Sequence, residues 1–141
     1  MATVSTAKAH WEGSLIEGGG TVQLATSGLD TFDVKWAKRV EAGAGNTNPE
    51  ELLAAAHATC YSMALSHALA GNGTPPASLD TTVEVGFQPG VGVTGSKISV
   101  VGNVPGLTAA EFQTFAEGAK ANCPISKALA IDITLEASFA G

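Results

Sequence analysis

Asn48-Pro49-Glu50-Glu51-Leu52-Leu53-Ala54-Ala55-Ala56-His57-Ala58-Thr59-Cys60-Tyr61-Ser62-Met63-Ala64-Leu65 opens the longest helix that this sequence encodes, and the fold is read outward from it. Asn48 is a helix cap, Pro49 suits the first helical position, and Glu51 stands three residues after the cap, as in a capping box. The pattern runs to about Ala70 and stops at Gly71, roughly 33 Å at 1.5 Å per residue. No charged residue follows Glu51, and apolar residues occur all round, so the helix is expected to be buried on nearly every side. Such a length also suffices to span a membrane. His57, Ser62, Ser66 and His67 are too heavy a polar load for that, and no second span exists, so we read a core helix and no membrane partner.

Upstream, the chain reads as strands. Residues 6–12 include Trp11, Glu17 to Gly20 make a turn, and Thr21 to Leu24 alternate as a half-buried strand does. Phe32 to Trp36 also alternate; Arg39 is expected at the end of that strand, before the loop Gly43-Ala44-Gly45. Downstream, a turn at Pro75-Pro76 precedes strands at Thr82–Phe87 and Lys97–Val101. Thr108 to Glu111 form a second capping box, opening a helix whose apolar face is Phe112, Phe115, Ala116 and Ala119. Asn122-Cys123-Pro124 breaks that helix and starts a short one, and residues 131–139 alternate as a strand with one dry face. The order is α+β with antiparallel sheets. A helix apolar all round needs more cover than a small sheet provides, and a homodimer packing two such helices between two sheets would supply it.

A chain of 141 residues fits a single domain, 1–141. Seven basic residues against thirteen acidic ones give a net charge of −6, which argues against a nucleic-acid partner and against an anionic membrane surface. The N-terminus shows no basic segment followed by an apolar run, so we expect a cytoplasmic protein. Both cysteines would then lie in a reducing compartment, where such a pair is more often reactive or merely buried than a permanent staple.

Cys60, in mid-helix, reads equally as a small core hydrophobe. Cys123 lies at a helix start, where unpaired N–H groups favour a thiolate. The two could form a thiol–disulfide pair if their Cα atoms came within about 7 Å, which spacing alone does not show. Arg39, the only arginine, and Glu50 read either as solvated charges or as a buried pair in which a carboxylate holds a guanidinium against a thiolate. His57 and Cys60 share a helical face and could ligate zinc with Cys123, as in a zinc-dependent hydrolase. A fourth ligand is missing, so we expect no metal. His10 and His67 read as structural or exposed, and Gly18-Gly19-Gly20 matches no phosphate-binding loop.

Taken together, Asn48 to Leu65 resemble the signature of the osmotically inducible protein C (OsmC) family, and Asn122-Cys123-Pro124-Ile125-Ser126 resembles its second cysteine motif. Residues 9–13, 79–82 and 133–135 are also similar to the family, so the resemblance covers essentially the whole chain. Arg39 just before the central helix places the chain nearer OsmC proper than the organic hydroperoxide resistance branch, whose arginine lies nearer the N-terminus. The resemblance implies an intertwined homodimer, with antiparallel sheets wrapped around two long central helices and two active sites at the subunit interface. It implies a thiol-dependent peroxidase that reduces organic hydroperoxides to alcohols, with Cys60 peroxidatic, Cys123 resolving, Arg39 supporting the thiolate and Glu50 holding Arg39. A reducing dithiol or dithiol protein would regenerate the enzyme, and no cofactor is required. The alternative is a thiol redox sensor or hydrophobic-ligand-binding protein without turnover.

Overall fold

Asn48 caps the long helix: its side-chain oxygen accepts the Glu51 N–H at 2.8 Å, and its amide donates to the Lys38 carbonyl at 2.9 Å. Glu51 does not return the bond to the cap; its carboxylate accepts from the Thr47 hydroxyl at 2.6 Å instead. The helix so started, α2, is Pro49–Gly71. The structure, a computed structural model, describes residues 1–141 and divides into two compact units, Met1–Leu52 and Leu53–Gly141, with the boundary inside α2.

The first unit carries β1 (Lys8–Glu12), β2 (Gly19–Gln23) and β3 (Thr31–Val34), an antiparallel meander in the order β1-β2-β3. Arg39 is not at a strand end. Trp36–Val40 wind into a short helix, α1, since Ala37, Lys38 and Arg39 are good helix formers and the chain is extended only as far as Lys35.

The second unit holds the larger sheet, β4 (Ser78–Gln88), β5 (Gly92–Asn103) and β6 (Ile133–Phe139), in the order β4-β5-β6. The fold class is α+β, as expected, but this sheet is not wholly antiparallel. β4 and β5 form an antiparallel hairpin, whereas β6 joins β5 in parallel, Ser96 beside Ile133 through Gly102 beside Phe139. A parallel neighbour requires a crossover, and α3 (Ala109–Asn122) and α4 (Pro124–Ala128) provide it. Thr108 caps α3 with both halves of the capping box in place. α3 buries Phe112, Ala116 and Ala119, and Phe112 lies directly over Gly102, where any Cβ would collide with its ring. The Phe112 and Phe139 rings pack with centroids 5.6 Å apart.

α2 is not buried all round. His57, Tyr61, Leu65 and Leu69, each one turn on from the last, are fully buried with Ile98, Val100 and Phe112. The opposite face is open: Met63 is 67% exposed, and Ala56, Thr59, His67 and Ala70 are exposed with it. Within Leu53–Gly141, one sheet and α3 cover one stripe of the apolar helix and leave its opposite face open. No helix is long and apolar enough to cross a membrane.

Candidate active site

The two cysteines, distant in sequence, meet. Cys60 Sγ and Cys123 Sγ lie 2.9 Å apart as free thiols. Cys60 stands in mid-α2 on a turn adjoining the buried stripe and is partly exposed; Cys123, between α3 and α4, is fully shielded. The break that places Cys123 is made by Pro124, which occupies the first turn of α4 and leaves Cys123 as the shared cap of two helices.

The surroundings of the two sulfurs differ. Burial pushes the Cys60 thiol up, and its hydrogen bond with Cys123 adds to this, against a smaller opposing bond from the Ile125 backbone. Burial would also push Cys123 up, but it is outweighed. Hydrogen bonds from Cys60, from the Ser126 and Ile125 backbone, and from the Ser126 hydroxyl together bring the Cys123 thiol below its ordinary value. At 2.9 Å either sulfur can donate to the other.

Behind Cys123 stands a residue whose part in the site was not legible in the sequence. His57 is fully buried, with Nδ1 2.7 Å from the Ser96 hydroxyl and Nε2 2.7 Å from the Ser126 hydroxyl. Both ring nitrogens are thus engaged by hydroxyls, and no group of three or more His, Cys, Asp or Glu side chains could hold a metal ion. The zinc arrangement considered from His57 and Cys60 is therefore not assembled. Burial lowers the His57 pKa, keeping the ring neutral.

Arg39 and Glu50, in the first unit, also meet. Arg39 Nη2 lies 2.9 Å from Glu50 Oε1, and Nε lies 3.0 Å and 3.3 Å from the two carboxylate oxygens. Glu50 is buried and Arg39 about a third exposed, so the carboxylate is the fixed member and the guanidinium the presented one. Arg39 also lines an apolar cavity of about 270 Å³, with Ala9, Trp11, Val22, Trp36 and Leu52 among its walls.

The family model described as OsmC-like protein matches residues 42–138. The chain belongs to the OsmC family. It is 41% identical over 132 residues to peroxiredoxin OsmC of Escherichia coli (strain K12), covering 92% of both chains. It is 34% identical over 125 residues to the organic hydroperoxide resistance protein of Xanthomonas axonopodis pv. citri (strain 306), covering 83% of this chain and 87% of that one. The crystal structure of an organic hydroperoxide resistance protein OsmC from Legionella pneumophila superposes with a TM-score of 0.70 at 25% identity, covering 100% of this chain and 99% of that one.

Proposed function

We propose that this OsmC-family protein is a thiol-dependent peroxidase that reduces organic hydroperoxides to alcohols, in defence against oxidative stress. One observation carries the reading: two free sulfurs stand 2.9 Å apart, of which only one can be approached from outside. A shielded Cys123 does not meet a peroxide, however well its thiolate is supported, so the accessible Cys60 is the attacking residue. Its thiolate attacks the O–O bond, the alkoxide leaves and takes a proton, and Cys60 becomes a sulfenic acid. Cys123 then attacks that sulfur, hydroxide leaves as water, and a Cys60–Cys123 disulfide results. A reducing dithiol or dithiol protein restores both thiols by exchange.

The same electrostatics define what Cys60 lacks. Within Leu53–Gly141 its thiol is pushed up, so it needs a cation to be the thiolate at neutral pH. Arg39, held by the buried Glu50, is the group we assign to that task, in agreement with the family resemblance at both positions. The apolar walls beside Arg39 favour a hydroperoxide with a hydrocarbon tail over hydrogen peroxide. We read residues 1–141 as one functional domain, working in the cytoplasm, where reducing dithiols are at hand. We further assign a homodimer that covers the open face of α2 around Met63, with an apolar interface above ~2,000 Å². A fully active monomer in dilute-solution sedimentation would refute the dimer.

Steady-state assays with a dithiol test the activity. The unmodified protein is expected to turn over repeatedly, and Cys60→Ser to lose even the first turnover. Cys123→Ser should consume about one equivalent per site and over-oxidise in excess peroxide. A single oxidation per molecule in the unmodified protein would identify a redox sensor instead.

A further inference from the structure

We propose that Asn48 is a positioning residue for Arg39: its side-chain amide ties the peptide unit before Arg39 to the peptide unit after Glu50, and so sets the two backbones from which the ion pair hangs. The inference deepens the peroxidase reading, and rests on it for the use made of Arg39.

Arg39 stands on an element with little to fix it. α1 has five residues, buries none of them, and takes no side-chain cap from Lys35. The chain from α1 to α2 is Glu41-Ala42-Gly43-Ala44-Gly45-Asn46-Thr47, in which Gly45 takes a φ of +99° and meets nothing within 4 Å. Asn48 closes this loop from the far side. It is buried, its Oδ1 accepts the Glu51 N–H at 2.8 Å, and its Nδ2 donates to the Lys38 carbonyl at 2.9 Å. A backbone N–H only donates and a backbone carbonyl only accepts, so the amide has a single orientation here. The Lys38 carbonyl shares a planar peptide unit with the Arg39 nitrogen and Cα, and the Glu51 N–H shares one with the Glu50 Cα. One side chain thus holds the plane leading into Arg39 and the plane leading out of Glu50. Between them the side chains meet with Arg39 Nη2 2.9 Å from Glu50 Oε1 and Nε 3.0 Å and 3.3 Å from the two oxygens. A pair made through two guanidinium nitrogens depends on direction as well as on distance.

Capping does not account for the amide nitrogen. The cap needs only an oxygen, which serine or aspartate supplies as well as asparagine does. Nδ2 serves Lys38 instead, eleven bonds of rotation short of the guanidinium but on the same peptide unit as its Cα. The consequence for turnover is that Asn48 raises the fraction of molecules in which Arg39 is presented in the paired arrangement.

Arg39 is the only arginine, so its Nε–H gives the one arginine Nε signal in a ¹⁵N NMR spectrum. That N–H donates to Glu50, and its exchange with water reports how often the pair opens. Asn48→Ser and Asn48→Asp both keep an oxygen for the cap and lose the amide donor. Nε–H exchange is expected to quicken about two- to tenfold in each, the size of one lost hydrogen bond, with urea midpoints close to that of the unmodified protein. The peroxidase rate of Asn48→Ser should fall by a similar factor, and the loss should vanish in an Arg39→Ala background. Unchanged exchange in Asn48→Ser, or a rate loss that persists in full in Arg39→Ala, would overturn the proposal. Faster exchange with an unchanged peroxidase rate would uphold Asn48 as the positioning residue of the pair and refute instead the role assigned to Arg39 in turnover.

Discussion

The two units are stabilised in opposite ways. In Met1–Leu52 the buried residues are Asn48 and Glu50, both polar, while Trp11, Leu15, Ile16, Leu29 and Val40 lie exposed. In Leu53–Gly141 an unbroken apolar cluster runs from Tyr61, Leu65 and Leu69 through Ile98 and Val100 to Phe112, Ala116 and Cys123. Alternating strands are present in both, so strand pattern does not account for the contrast. The second unit has helices that bury its sheet. The first is held by a three-stranded ladder and by directional bonds, the Arg39–Glu50 pair and the Asn48 cap. A region with few buried apolar contacts opens at low free energy. The comparison teaches that the Arg39–Glu50 pair belongs to the unit with little apolar core, and the two cysteines to the unit whose core is closed.

The largest test of that division is catalytic. Cys60→Ser is expected to abolish hydroperoxide reduction, whereas Arg39→Ala should lower the rate by about 10- to 150-fold, equivalent to a charge-assisted contact of roughly 1.5–3 kcal/mol. Steady-state rates at saturating dithiol separate the two. Wild-type rates in Arg39→Ala would show that the first unit takes no part in the chemistry.

Stability is the next contrast. Leu65→Ala, within the closed core, should cost about 2–5 kcal/mol. Val22→Ala, on the half-exposed face of β2, should cost less than about 1.5 kcal/mol, nearer to a surface substitution. Urea unfolding monitored by circular dichroism measures both, and similar losses would mean that the first sheet is closed over in solution.

Capping gives a smaller effect. Thr108→Ala removes the hydroxyl that accepts the Glu111 N–H, while the Thr108 backbone N–H can still donate to the Glu111 carboxylate, and it should cost about 1 kcal/mol in the same urea experiment. A neutral substitution there would mean that the tertiary contacts of α3 override its cap.

The smallest effect is in pH. His57 is held neutral by burial, and its folded pKa lies below the ordinary 6.5. Its contribution to stability is therefore complete above pH 6.5 and declines as pH falls below 6.5 toward the folded value, because the unfolded chain binds the proton first. Urea midpoints across this window should fall for the unmodified protein and flatten in His57→Gln. Parallel curves would place the acid sensitivity elsewhere.

Local signals in the sequence determined much of the architecture. Asn48-Pro49 and Thr108-Ala109-Ala110-Glu111 started helices at the expected residues, because caps and first-turn prolines act through their nearest backbone neighbours. The paired motifs around Cys60 and Cys123 carried the family, since both stretches resemble it over enough residues to be specific. What local pattern does not carry is the direction of a strand relative to its neighbour, or which hydroxyl a buried ring will meet. Thus β6 entered parallel to β5, set by a two-helix crossover, and Arg39 lay on a short helix and not at a strand end. An apolar helix read as buried all round proved to be half covered, because periodicity reports how many faces are apolar and not how many faces one chain can reach. The 2.9 Å approach of the two sulfurs and the link from Ser96 through His57 to Ser126 join residues from α2, β5 and the α3–α4 junction. Only tertiary packing brings such residues together, since each contact depends on the register of one element against another.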